Sequence, residues 1–272
     1  MSTASLHPDA ARPIGVFDSG IGGLTVVRAL QDCLPGEDIL YFGDAARVPY
    51  GTKSPDTVIR FTRECVSFLA HRGIKLLVVA CNTASAVALP ALTRSLSVPV
   101  VGVIGPGVAA ALRRSRGKRI GVIGTEGTVA SGAYRRGLQE VGDGWAFFEA
   151  PCPLFVPLAE EGWITGEVPR LAAQRYLEPL LRENIDTLIL GCTHYPLLRE
   201  VIAETMGPSV TLIDSATATA TAVREALERH GLARRRGQGT ACFFVSDAPE
   251  RFVKVGSRFL GAQVDSAVRI ER

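Results

Sequence analysis

The 272-residue sequence has no hydrophobic run long enough to cross a membrane, and Met1 to Arg12 hold no apolar stretch of the signal-peptide kind. Both absences lead to the expectation of a cytoplasmic protein with no membrane partner. Cys-x-x-Cys pairs are also missing, and the single Cys-x-His at Cys192 and His194 is too thin for a structural zinc site. In a reducing compartment Cys33, Cys65, Cys81, Cys152, Cys192 and Cys242 are therefore expected as free thiols. Charge of one sign is scarce: 30 basic residues face 27 acidic ones, and no like-charge block exceeds Arg234-Arg235-Arg236, which lies among glycines and reads as a solvated loop. No nucleic-acid partner is expected. Aromatics make up only 7% of a chain that is 47% hydrophobic, so the core must be built from Ala, Val, Leu and Ile.

What the chain does have is a series of short apolar runs alternating with helical periodicity. The runs are Pro13–Phe17, Asp38–Phe42, Leu76–Val79, Val98–Val103, Arg119–Ile123, Ala146–Phe148, Leu188–Leu190, Thr211–Ile213 and Ala241–Val245. Continuous rather than alternating apolarity predicts strands covered on both faces, hence an α/β fold of mainly parallel sheets flanked by helices. Gly15-Val-Phe-Asp-Ser-Gly20 and Gly121-Val-Ile-Gly-Thr-Glu126 follow similar strands, offset by about the same distance as two cysteine segments, Ala80-Cys81-Asn82-Thr83 and Gly191-Cys192-Thr193-His194. The halves look duplicated. Turn residues at Gly105-Pro106-Gly107 and at Asp214-Ser215 suggest a first domain of residues 1–106 plus 215–272, carrying Cys81, and a second of residues 107–214, carrying Cys192.

Each of those two cysteines ends an apolar run and opens a helix-like stretch, with Asn82-Thr83 and Thr193-His194 placed to cap it. A helix N-terminus offers unpaired N–H groups that favour a thiolate and can hold a substrate carboxylate. Two thiols displayed alike on related half-molecules suit an enzyme that takes a proton from one face of a carbon and returns one to the other. Asp18, at the end of the first strand, is placed to orient a thiol or a substrate ammonium. Asp18-Ser19-Gly20-Ile21-Gly22-Gly23 is not a dinucleotide fingerprint, because Thr25 stands at the third glycine position. The loop Asp44 to Ser54 is not a Walker motif, and its Tyr50 and Gly51 suit the lining of a small polar ligand site. His194 has a neighbouring thiol for proton transfer, with Glu160 as its candidate partner, whereas His7, His71 and His230 read as structural or surface residues.

The segments Gly15–Thr25, Tyr41–Gly51, Ala80–Ser85, Cys152–Glu160 and Gly191–Pro196 together resemble the glutamate racemase family, over essentially the whole chain. The resemblance implies two pseudo-symmetric α/β domains with glutamate in the cleft between them, no cofactor and no metal, a homodimer, and a role in peptidoglycan synthesis. It further implies that Cys81 and Cys192 are the acid/base pair, Cys81 deprotonating the D-isomer and Cys192 the L-isomer. Asp18 would support Cys81, and His194 with Glu160 would support Cys192. Asp18, Ser19, Tyr50, Gly51, Asn82, Thr83, Thr193 and His194 would contact substrate. A related racemase acting on aspartate or a hydantoin, or a nonenzymatic protein that binds DNA gyrase, remain alternatives at this level.

Overall fold

The structure, a computed structural model, describes residues 10–140, 142–234 and 237–271. His7 and two arginines of the Arg234–Arg236 loop, Arg235 and Arg236, lie outside the described residues. Every apolar run of the sequence becomes a parallel strand. β1 (Ile14–Asp18), β2 (Ile39–Gly43), β3 (Leu76–Val79) and β4 (Val100–Gly102) alternate with helices α1 (Leu24–Cys33), α2 (Pro55–His71) and α3 (Asn82–Ser95), and the strands lie in the order β2-β1-β3-β4. A second sheet is made of β5 (Arg119–Gly124), β6 (Ala146–Pro151), β7 (Thr187–Gly191) and β8 (Thr211–Asp214) in the order β6-β5-β7-β8. The two orders are equivalent, which is what a duplicated half-molecule requires.

Helices α5 (Glu126–Ala130), α6 (Ala133–Gln139), α7 (Phe155–Glu161), α8 (Glu167–Arg182) and α9 (Arg199–Met206) serve the second sheet. α4 (Ile104–Arg114) leads into it and α10 (Ser215–Arg229) leads back; β9 (Ala241–Val245), α11 (Pro249–Leu260) and a short β10 (Val268–Arg269) then extend the first sheet to β10-β9-β2-β1-β3-β4. Among these strands β10 was not legible in the sequence, since its two residues are exposed and carry no apolar pattern.

The continuous apolar runs reflect burial on both faces: every residue of β1, β3 and β7 is buried. Between the sheets, α1, α4, α10 and α11 share one core in which Val27, Val108, Ala111, Val223 and Phe259 pack together with strand residues of both sheets. Each fully buried Val, Leu, Ile or Phe of this kind contributes about 1.5–3 kcal/mol. Gly105-Pro106-Gly107 is not a turn, as the sequence suggested, but the first turn of α4. Proline is tolerated there because first-turn N–H groups have no intrahelical acceptor. At Asp214-Ser215 a helix begins, with the Asp214 carboxylate accepting from Ala216 N–H at 2.8 Å. His71 and His230 are exposed, and none of the six cysteines is in a disulfide.

Candidate active site

Strand register brings the two thiols to equivalent places. In the first sheet Phe17 pairs with Val79, and Ala80 N–H donates to Phe17 O at 2.8 Å, so Cys81 leaves the sheet beside Asp18. In the second, Gly124 pairs with Gly191, so Cys192 leaves it beside Thr125. Both cysteines emerge at the carboxyl ends of central strands, where ligands of open parallel sheets bind, and each is 5% exposed.

Cys81 is the N-cap of α3, and its own Sγ does the capping by accepting Ala84 N–H at 3.4 Å. Burial and the neighbouring Asp18 charge push its pKa up to about 12, against hydrogen bonds from Ser19 and Ala84 N–H that favour the thiolate. Cys81 is thus held as a thiol. Asp18 is completely buried, and burial raises its carboxyl pKa against the charge of His194 and the backbone N–H groups of Gly20, Gly23 and Ser19. One of its oxygens accepts from Gly20 N–H at 2.9 Å and lies 3.5 Å from the Tyr41 hydroxyl; the other, Oδ1, is buried with no hydrogen-bond partner among the described residues.

Around Cys192 the arrangement differs. The chain makes a turn at Thr193-His194 and a short 3-10 helix over Tyr195–Leu198 before α9 begins, so the expectation that both thiols open an α-helix holds only for Cys81. The second thiol is served by a side chain in place of a helix terminus. His194 Nδ1 lies 3.9 Å from Cys192 Sγ and 3.4 Å from Thr193 Oγ1, while its Nε2 is 3.1 Å from Glu160 Oε1. Burial opposes a charged imidazole, but the contacts with Cys192 and Glu160 outweigh it and raise the His194 pKa to about 10. The hydrogen bond to His194 holds the Glu160 carboxyl below its usual range, with Arg251 from α11 adding to the effect at 3.1 Å. Glu160 is therefore not the solvent-facing acid that its Glu-Glu position suggests; Glu161 is the more exposed of the two, with a side chain 65% exposed and 3.9 Å from Arg251.

A narrow cavity of about 60 Å³ lies between the two thiols. Ser19, Tyr50, Gly51, Cys81, Asn82 and Thr83 line it from the first sheet's side, and Cys192, Thr193 and His194 from the second's. A larger groove of about 540 Å³, between α1, α10 and the Pro196–Arg199 segment, contains none of these residues. Asp18 and Glu160 are not among the lining residues: Glu160 meets His194 at 3.1 Å, and Asp18 ends the strand beside Cys81. The Tyr50 hydroxyl donates to the buried Asp44 carboxylate at 2.5 Å, which leaves its ring and the adjoining Gly51 backbone to face the cavity. Glycines 22 and 23 serve close approach: a β-carbon on Gly22 would collide with Thr193 and His194, and one on Gly23 with Asp18. Thr25 Oγ1 reaches across to Thr193 O at 3.1 Å.

Thr125 also lines the cavity and was missed in the sequence. Its hydroxyl lies 2.9 Å from Thr83 Oγ1 and 3.0 Å from Thr128 Oγ1, joining the two sides of the site. The internal repeat carried the signal, since Thr125 occupies the position of Ser19. Arg251 gave no signal, because its sequence neighbourhood is ordinary helix, and Tyr41, though it opens one of the resembling segments, carried no assigned role.

Comparison with known proteins bears directly on this arrangement. Residues 22–223 match the Asp/Glu/Hydantoin racemase family. The chain is 54% identical over 260 residues to the glutamate racemase of Geobacter metallireducens, covering 95% of this chain and 96% of that one. Among solved structures it is similar to glutamate racemase isoform RacE1 of Bacillus anthracis, with a TM-score of 0.90, 40% identity and coverage of 96% and 97%. Its similarity to the Francisella tularensis glutamate racemase, solved with D-glutamate, has a TM-score of 0.90, 38% identity and coverage of 96% and 98%. With the family pattern spanning most of the chain and relatives matched over about 95% of it, the protein belongs to the Asp/Glu/Hydantoin racemase family.

Proposed function

We infer that the protein interconverts L- and D-glutamate as a cofactor-independent glutamate racemase, with Cys81 and Cys192 as its two acid/base groups, and that it supplies D-glutamate for peptidoglycan synthesis in the cytoplasm. The observation that carries this reading is the convergence of two thiols, one from each sheet, on one small cavity. Glutamate, rather than aspartate or a hydantoin, follows from the high identity to glutamate racemases over nearly the full chain.

In the L-to-D direction the Cys192 thiolate removes the α-proton, leaving a carbanion, and the Cys81 thiol gives its proton to the opposite face. The reverse direction exchanges the roles. Two features suit the first direction: Cys81 is held as a thiol, and the His194 imidazolium lies beside Cys192. An α-proton is far less acidic than a thiol, so the barrier must be lowered by electrostatic stabilisation of the carbanion in a site from which water is excluded. The N-terminus of α3, the Asn82 amide and the Thr83, Thr125 and Thr193 hydroxyls are the donors available to the two carboxylates. Asp18, behind Cys81, resets that thiol's proton or holds the substrate ammonium.

We further propose two α/β domains, residues 1–106 with 215–272 and residues 107–214, and a homodimer. The division is supported by the strand membership of the two sheets, and dimerisation by the exposed apolar side chains of Leu154, Trp163, Val168 and Leu171. The balanced charge supports no nucleic-acid role. No described helix is long and apolar enough to cross a membrane.

The deciding experiment is incubation of each pure glutamate enantiomer in deuterium oxide, with racemisation and α-deuterium uptake followed separately and aspartate run alongside. Glutamate should racemise with uptake of deuterium and aspartate should not. Cys81→Ala and Cys192→Ala should each abolish racemisation while leaving the fold intact. More than a few per cent of parent activity in either variant would sink the two-base assignment.

A further inference from the structure

Asn82 opens α3 next to Cys81 and is 3% exposed. A side-chain amide has an accepting and a donating end, and nothing in the helix decides which of them faces the cavity. The decision comes from the other half of the molecule. Tyr134, on α6, donates its hydroxyl to Asn82 Oδ1 at 2.7 Å. The amide nitrogen is left buried, with no hydrogen-bond partner among the described residues.

A buried N–H donor without an acceptor is unfavourable, and this one belongs to a residue lining the cavity between the thiols. An anionic oxygen on a bound ligand would satisfy it. Tyr134 is suited to hold the amide in this orientation. It is completely buried, and its ring lies against the strand end that carries the second thiol: a β-carbon on Gly191 would come within 3.0 Å of the ring. Burial keeps the phenol protonated, so it remains a donor at any working pH.

We propose that Tyr134 is a positioning residue whose hydroxyl locks the Asn82 amide with its NH2 toward the cavity, where it donates to a carboxylate oxygen of bound glutamate. This deepens the racemase reading and rests on it. Without the hydroxyl the amide can turn, and either end can face the ligand.

The test is a double-mutant cycle on Tyr134→Phe and Asn82→Ala, reading glutamate affinity by calorimetry, kcat and KM by racemisation, and melting temperature. Phenylalanine keeps the ring that fills the space beside Gly191, so the fold should persist. Tyr134→Phe alone should weaken glutamate binding by about tenfold, as expected when the Asn82 amide is no longer held to donate to a charged carboxylate, with kcat changed less than about threefold. In the Asn82→Ala background the same change should have no further effect on binding. A role in packing alone would lower the melting temperature and weaken binding equally in both backgrounds, and that result would overturn the inference. Asn82→Asp gives a second reading, since it keeps an acceptor for Tyr134 but points a carboxylate oxygen at the ligand. It should bind glutamate more weakly than Asn82→Ala; the opposite order would also overturn the inference. A parent protein that neither binds nor racemises glutamate would overturn the racemase reading itself, whereas an active parent with either contrary result removes only the role of Tyr134.

Discussion

Glu160→Gln isolates the electrostatic part of the Cys192 half-site. Glutamine keeps the shape of the side chain and can still accept from His194 Nε2, now 3.1 Å from Glu160 Oε1, but it carries no charge. In the parent the His194 pKa is raised from 6.5 to about 10, by Cys192 and Glu160 together and against burial. Burial is unchanged in the variant, so the pKa must fall. Losing the Glu160 charge lowers the pKa from about 10, so the charged fraction falls more at pH 9, close to the parent value, than at pH 7, well below it.

The consequence is a pH-dependent and enantiomer-dependent defect. On the proposed assignment of Cys192 as the base for L-glutamate, deuterium uptake from that enantiomer should be closer to the parent rate at pH 7 than at pH 9, where it should fall several-fold, about 1 kcal/mol. Uptake from D-glutamate, which uses Cys81, should show the smaller change. Comparing variant with parent at each pH removes the ionisation of the thiols themselves from the comparison. A variant-to-parent ratio that stays constant between pH 7 and pH 9, or is the same for both enantiomers, would refute the assignment of Glu160 to His194 and of His194 to Cys192.

Asp18→Asn should have the opposite bias, slowing α-deuterium uptake from D-glutamate more than from L-glutamate; equal losses would mean that Asp18 serves general binding. Gly22→Ala should force Thr193 and His194 aside, costing about 1–3 kcal/mol of stability by overpacking and up to about a hundredfold in kcat/KM, measured by thermal melting and racemisation. Folding stability should fall with rising pH. The folded His194 pKa is about 10, above its unfolded value of 6.5, so its contribution is complete below about pH 6.5 and is lost as pH rises through 10. His194→Asn should therefore flatten the decline in melting temperature between pH 7 and pH 10. Dialysis against a chelator should leave the racemisation rate unchanged; a loss restored by one metal would argue against a two-thiol mechanism.

Much of this was legible in the sequence because parallel strands buried on both faces leave a simple pattern. All nine apolar runs are strands, and the repeat of Gly15–Gly20 at Gly121–Glu126 appears as one strand order used twice. The cavity lining was legible where a residue sits next to a strand end, as with Ser19, Asn82, Thr83, Thr193 and His194. Features made by long-range packing were not. Gly105-Pro106-Gly107 has turn composition but starts α4, because a first turn tolerates both residue types. The missing helix after Cys192 depends on a 3-10 turn that begins at Tyr195 with Pro196 in its first positions, a stretch that reads equally well as a helix start. Arg251 and Tyr134 reach the site only through contacts 91 and 52 residues away in sequence, and no local pattern records such distances.

The way the two half-sites depart from one another has a chemical reason. Cys81 and Cys192 occupy matching positions after matching strands, but Asp18 corresponds to Gly124, Asn82 to Thr193 and Thr83 to His194. Two enantiomers can share one site if the carboxylate, ammonium and side chain keep their places and only the α-hydrogen changes face. The groups that meet the α-carbon must then be alike, since each face needs the same proton donor and acceptor. The groups that meet the other three substituents must be unlike, or glutamate could bind in either sense and its α-hydrogen would no longer point at a thiol. A duplicated fold supplies the first requirement without further change, and divergence at the residues beside each thiol supplies the second. On the proposed two-thiol reading the same logic gives each thiol a different setting, a helix N-terminus near Asp18 for Cys81 and the His194–Glu160 pair for Cys192, because a matched pair of either kind would place like charges around one α-carbon.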